Sequence, residues 1–297
     1  MTSIPGRFGA LVTAMVTPFD AEGNLDLDGV ATVARHLADN GSDALVVAGT
    51  TGESPVLGKD EKLDLWKATS EAVTIPVIAG TSTYDTSESV ELTREAAGLG
   101  VAGILAVTPY YSRPSQHGLA AHFTAMAEAA SDLPVLLYDI PIRSGRKIDH
   151  DTMLRLAREV PNIVGVKDAA ANPYAAARLL AEAPDGFELY SGDDGFTLPL
   201  LAIGACGLIS VAAHWCGPQI REMIVAFSKG DVDEARRINA SLLESFMFET
   251  SDEAPNPIPS KVMLKLLGVH DGVCRLPIGP PPDGLEAKGR QVLDRLG

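Results

Sequence analysis

The sequence is short of cysteine, of positive charge, of membrane-length apolar runs and of histidines at metal-binding spacing. Its three cysteines, Cys206, Cys216 and Cys274, are odd in number and form no C-x-x-C pair. That excludes a disulfide framework and a zinc knuckle, and fits a reducing, cytoplasmic setting. Lys and Arg total 24 against 39 Asp and Glu, for a net charge of −15 and a pI near 4.8. Such a surface repels phosphate backbones and anionic lipid, so neither a nucleic-acid partner nor a membrane is expected. An acidic substrate then requires a local cation.

No apolar run reaches the ~18 residues that would suggest a membrane span. The apolar stretch from Phe8 to Phe19 runs into Thr17-Pro18-Phe19-Asp20 without a small-residue cleavage motif, and reads as a first strand. Among His36, His117, His122, His150, His214 and His270, no pair has the i, i+4 spacing of a helical metal site. No metal and no cofactor are expected.

What the sequence does contain is alternation. Short apolar runs at 8–17, 43–49, 75–81, 101–108, 133–139, 162–168, 187–191 and 205–212 are separated by segments of helical period. Runs such as "LPVLLY" are apolar on both faces, as strands of a parallel sheet covered by helices must be. Val30, Val33, Ala34, Leu37 and Ala38 form one helical stripe, closed by Gly41. A second helix, after Lys59-Asp60-Glu61, is marked by Leu63, Trp66, Lys67 and Ser70. Eight such units predict an α/β fold, a (β/α)8 TIM barrel with a C-terminal helical appendage. The expected division is a catalytic barrel over 1–227 and a helical region over 228–297. In the latter, "EAPNPIPSK" and "PIGPPPDG" read as rigid turns between helices.

In this architecture reactive groups lie at the carboxyl ends of strands. Here those ends carry Thr50-Thr51-Gly52-Glu53, Tyr110-Tyr111, Tyr138-Asp139, Lys167-Asp168 and Gly192-Asp193-Asp194. In "NIVGVKD" alternation places Ile163, Gly165 and Lys167 on one face, with the glycine leaving room for the lysine. An ammonium held in an apolar barrel mouth loses hydration, which lowers its pKa from ~10.4 and yields a nucleophilic amine. Equally, Lys167 could pair with Asp139 or Asp168 in a structural ion network; the residue alone does not choose. Schiff-base chemistry needs proton movement, and the phenol of Tyr138 and the hydroxyl of Thr50 are groups able to supply it. Arg143, five residues after Tyr138, has the planar fork that suits a carboxylate, or an acidic neighbour on the surface. Gly192 reads as a backbone contact to substrate rather than part of an ion site.

Taken together, "GTTGESP", "VTPYYSRPSQ", "LLYDIPIRSG", "IVGVKDA" and "YSGDD" resemble the dihydrodipicolinate synthase and N-acetylneuraminate lyase superfamily, and more narrowly its synthase branch on the diaminopimelate route to lysine. The resemblance covers nearly all of residues 8–280. It implies that Lys167 forms a Schiff base with pyruvate while Tyr138, Thr50 and Tyr111 relay protons. It further implies that Thr51 holds the pyruvate carboxylate, Ile209 lends a backbone group nearby, and Arg143 binds the carboxylate of L-aspartate 4-semialdehyde. Tyr111 would serve a neighbouring subunit, which implies a homo-oligomer, a dimer or a tetramer of two dimers.

Three departures flank these positions: Asp139 for asparagine, Ile142 for a small or hydroxyl residue, and Asp168 for glutamate. Where lysine-inhibited relatives carry two histidines and an asparagine, this chain has Lys59, Lys62 and Tyr84, with Ser54 and Glu88 kept. Two cations disfavour a cationic effector, so lysine inhibition is expected to be weak or absent. The alternatives are another pyruvate-dependent aldolase, such as an N-acetylneuraminate or keto-sugar-acid lyase, a barrel that binds without catalysis, and a metal-dependent aldolase, which the missing histidine cluster disfavours.

Overall fold

The computed structural model describes residues 5–296. Eight strands form a closed barrel in chain order: β1 Leu11–Ala14, β2 Ala44–Val47, β3 Val77–Gly80, β4 Gly103–Val107, β5 Val135–Asp139, β6 Ile163–Asp168, β7 Glu188–Ser191 and β8 Gly207–Ser210. The helices are α1 Leu27–Asp39, α2 Lys59–Ala72, α3 Thr86–Gly98, α4 Gln116–Ala129, α5 Pro141–Ser144, α6 His150–Glu159, α7 Pro173–Glu182, α8 Thr197–Ala202, α9 Ala213–Ser228, α10 Val232–Phe248, α11 Ile258–Leu266 and α12 Leu285–Leu296. The expected (β/α)8 barrel with C-terminal helices is the observed fold. All eight expected strands form, each shorter than its apolar run. At β2 the reason is local: Ala48 takes a left-handed φ of 57°, which no ladder accommodates.

The chain groups into two compact units. One runs to Ala10 and then from Val77 to Ile209; the other comprises Leu11–Pro76 and the chain from Ser210 onward. The termini of the expected two-part division, 1–4 and 297, lie outside the described residues.

In the first unit β4, β5, β6 and β7 pair in parallel. Polar side chains start the helices. Asp85 accepts from the Glu88 amide at 2.9 Å, Ser115 from Gly118 at 3.1 Å and Asn172 from Ala175 at 3.0 Å. Each such cap is worth about 1 kcal/mol. Gly165 has a different reason from the expected one. A Cβ there would fall on the carbonyl oxygen of Glu188, so the glycine lets β6 and β7 approach rather than making room for Lys167.

In the second unit α9 packs on β1 and α1, α10 lies along α9, and α11 packs on α9 and α12. The stripe Val30, Val33, Ala34 and Leu37 of α1 is buried, and Gly41 follows with φ 98°. On α2 the buried stripe is Lys62, Leu65, Trp66 and Thr69, one position off the expected set. Leu63 is half-buried and Lys67 exposed, while Lys62 and Leu65 take the interior face. The segment 254–261, expected as a turn, is largely buried: Ala254, Asn256, Ile258, Ser260 and Lys261 are all in the interior.

Candidate active site

Tyr138 and Lys167 are direct partners across β5 and β6. Both are 4% exposed, and the Lys167 Nζ lies 4.4 Å from the centre of the Tyr138 ring. That is cation–π distance, and it puts the phenol alongside the amine. The Tyr138 carbonyl is fixed by two donors from Thr108, its amide at 3.0 Å and its hydroxyl at 3.1 Å.

Alternation sends the next pair, Asp139 and Asp168, to the other side of the sheet. There they line a cavity with Lys147, Ile148, His150, Met153, Val166, Ala175 and Leu179, under α6 and α7. Asp139 accepts from Lys147 Nζ at 2.7 Å and from the Ile148 amide at 3.1 Å. Asp168 accepts from the Ala170 amide at 2.8 Å. Burial raises the Asp139 carboxyl above its ordinary value while Lys147 pulls it down; burial raises Asp168 as well. The lysine held by Asp139 is thus Lys147, on the helix side of the sheet. The departure from asparagine at 139 has a local partner there.

Arg143 sits on α5, a single turn started by Pro141 and ended by Gly145 at φ 69°. Its side chain is exposed and has no acidic partner among the described residues. Its guanidinium is a planar fork of the kind that pairs with carboxylates. Tyr111 behaves differently: it is 94% exposed, with a left-handed φ of 72°. Its ring points away from its own chain and does not join Tyr138 and Lys167. Its neighbour Tyr110 is half-buried and meets Tyr84 edge-on, 5.6 Å between centres.

Ile209 is fully buried in β8. The Gly192 amide donates to the Asp168 carbonyl at 2.7 Å, which leaves the carbonyl as its group for a substrate. Asp193 accepts from the Phe196 amide at 3.2 Å, a turn cap within the acidic pair.

In the second unit, Thr50 and Thr51 lie between two left-handed residues, Ala48 at φ 57° and Glu53 at φ 54°. Non-glycine residues in that region cost about 1–3 kcal/mol each and persist where surrounding contacts hold them. Those contacts are present. Trp66 Nε1 donates to the Val47 carbonyl at 3.2 Å, and the Thr17 hydroxyl to the Gly52 carbonyl at 2.6 Å. Thr50 is half-buried, and its carbonyl receives the Glu53 amide at 3.1 Å. Thr51 is buried and its hydroxyl receives Asn256 Nδ2 at 3.0 Å.

Sequence reasoning did not find the residues that brace this loop. Lys261 pairs with Glu53 at 2.7 Å, and the Arg275 amide donates to Glu53 at 2.8 Å. Lys261 also stands 4.4 Å from the Phe19 ring centre. The usable clue was a lone lysine inside the apolar run "PIPSKVML". Among the described residues no group of three His, Cys, Asp or Glu is placed to hold a metal.

The model of the Dihydrodipicolinate synthetase family matches residues 7–295. The chain is 50% identical over 276 residues to a 4-hydroxy-tetrahydrodipicolinate synthase of Moorella thermoacetica, covering 92% of each. A crystal structure of DHDPS from Cyanidioschyzon merolae with lysine bound superposes with a TM-score of 0.95 at 43% identity, covering 98% of this chain and 99% of that one. A chloride-inhibited dihydrodipicolinate synthase from Acinetobacter baumannii complexed with pyruvate superposes with a TM-score of 0.92 at 34% identity, covering 98% and 99%.

Proposed function

The chain belongs to the dihydrodipicolinate synthetase family, and on that premise we propose that it condenses pyruvate with L-aspartate 4-semialdehyde to 4-hydroxy-tetrahydrodipicolinate, with Lys167 as the amine that captures the keto acid. The observation that carries the assignment of Lys167 is its Nζ over the Tyr138 ring, both side chains almost wholly buried.

The neutral amine adds to the pyruvate keto carbon, and loss of water gives the iminium. A methyl proton then leaves, and the resulting enamine attacks the aldehyde carbon of the second substrate. That substrate's own amine adds to the imine carbon, closes the ring and expels Lys167 as a free amine. Each step moves a proton over a hydrogen-bond length, which suits a phenol and a hydroxyl chain: Tyr138, Thr50 and Tyr111 of a neighbouring copy. Thr51 holds the pyruvate carboxylate, assisted by backbone groups of Ile209 and Gly192. Arg143, exposed on α5, takes the carboxylate of the semialdehyde.

The exposed ring of Tyr111 supports a homo-oligomer, at least a dimer, in which that ring is covered. The setting is cytoplasmic; no helix among the described residues is long and apolar enough to cross a membrane. Weak or absent lysine feedback is expected from the exposed Lys59 standing in place of a histidine; Lys62, interior at 3% exposure, presents no charge to an incoming effector. Lysine is bound in the crystal structure of the Cyanidioschyzon merolae protein; binding there is a property of that protein. Product assays with pyruvate plus aspartate semialdehyde, and in reverse with N-acetylneuraminate, test the reading. Faster turnover of the sugar acid would overturn it.

A further inference from the structure

After α10 the chain turns back into the second unit and meets the threonine loop at two points. Lys261 and the Arg275 amide take Glu53. Asn256 takes Thr51, donating from Nδ2 to the hydroxyl oxygen at 3.0 Å. Asn256 is 7% exposed and Thr51 3%. The Asn256 backbone is itself fixed, its N–H donating to the Thr250 hydroxyl at 3.2 Å.

A hydroxyl has one proton to give and two lone pairs to accept with. Asn256 fills a lone pair of Thr51 and leaves the proton unused. A carboxylate accepts only, so a threonine that must bind one needs that proton facing it. The same donor polarises the hydroxyl, which strengthens the bond it makes in turn.

Among the described residues the side chain of Asn256 has a single hydrogen bond, the one to Thr51. Asn256 Oδ1 is buried with no hydrogen-bond partner among the described residues. A half-satisfied buried amide contributes little to folding beyond that one bond. Such an arrangement fits a residue set by what it does for Thr51.

We infer that Asn256 is a positioning residue for the keto acid: it holds the Thr51 hydroxyl as a hydrogen-bond donor toward the pyruvate carboxylate. This rests on the reading that Thr51 binds that carboxylate. It makes the segment after α10 part of the pyruvate site, acting through Thr51 rather than touching substrate.

The test compares Asn256→Leu, Asn256→Asp, Thr51→Val and the double variant Thr51→Val/Asn256→Leu, by steady-state kinetics in pyruvate with thermal unfolding alongside. Asn256→Leu is expected to raise KM for pyruvate about tenfold with kcat changed far less. Asn256→Asp is expected to raise it further, because an ionised carboxylate takes the Thr51 proton and repels the anion. Should Asn256→Leu fail to fold, Asn256→Asp carries the test. In the Thr51→Val background, loss of Asn256 is expected to add little. A pyruvate KM within twofold of the parent in the Asn256 variants, while Thr51→Val raises it, overturns the inference and leaves the role of Thr51 standing. An unchanged KM in Thr51→Val overturns that role itself. Equal losses from Asn256→Leu with and without the Thr51 hydroxyl, tracking a lower melting temperature, also overturn the inference.

Discussion

The Lys261 ammonium lies 2.7 Å from the Glu53 carboxylate, with side-chain exposures of 4% and 0%. Burial pushes the Lys261 pKa down while Glu53 pulls it up. Removing one partner of such a pair strands the other charge in the interior, at about 3–5 kcal/mol. Lys261→Met is therefore expected to lower stability by that order in urea unfolding. Glu53→Gln/Lys261→Met, with neither charge left, is expected to be more stable than Lys261→Met. A single variant as stable as the parent would refute a structural role for the pair.

His214 gives the fold a defined acid limit. Its Nε2 accepts from the Val16 amide at 3.2 Å, and its Nδ1 donates to the Val211 carbonyl at 2.7 Å. Protonation removes the acceptor that Val16 uses, and full burial penalises the charge. Its pKa is pushed down from 6.5 to about 4. The folded state thus binds fewer protons than the unfolded chain between those values, so the stability contribution is present above pH 6.5 and lost as pH falls toward 4. The size is about 3 kcal/mol. Unfolding free energy is expected to drop between pH 7 and 4 by about that much more in the parent than in His214→Gln. Parallel pH profiles would contradict the assignment.

Tyr111, exposed on its own chain, is expected to act in a neighbouring copy. Tyr111→Phe is expected to lower kcat about a hundredfold while leaving the Schiff base able to form. Differently tagged Tyr111→Phe and Lys167→Ala chains, co-expressed and purified as mixed oligomers, would then regain activity. Each pair contains one site with a lysine from one chain and a tyrosine from the other. Mixed oligomers no more active than the average of their parents would place Tyr111 outside a shared relay.

How much of this was legible in the sequence depends on the distance over which each feature acts. Strands such as Val135–Asp139 were legible because burial on both faces leaves an unbroken apolar run. Lys167 and Tyr138 were legible because strand ends are where polar residues interrupt such runs, and the β5–β6 register does put them side by side. Arg143 was legible as a fork, but its lack of an acidic partner was not. The contact between Asn256 and Thr51 joins residues 205 apart, and no local pattern encodes it. The interior places of Lys62 and Lys261 were not legible: Lys62 was read only as a cation of an effector site, and Lys261 only as the end of a turn. Gly165 was read for the space it leaves its own strand, when the close neighbour is Glu188 on the next.

The most direct measurement is reductive trapping. Borohydride added with pyruvate reduces an iminium to a stable amine, fixing the keto acid to whichever lysine captured it. The parent is expected to gain one pyruvyl adduct per chain, mapped by peptide mass to Lys167, and to lose condensation activity in step. Lys167→Ala is expected to gain none and to lose about three orders of magnitude or more in condensation rate. An adduct on another lysine, or Lys167→Ala turning over at the parent rate, would contradict the account.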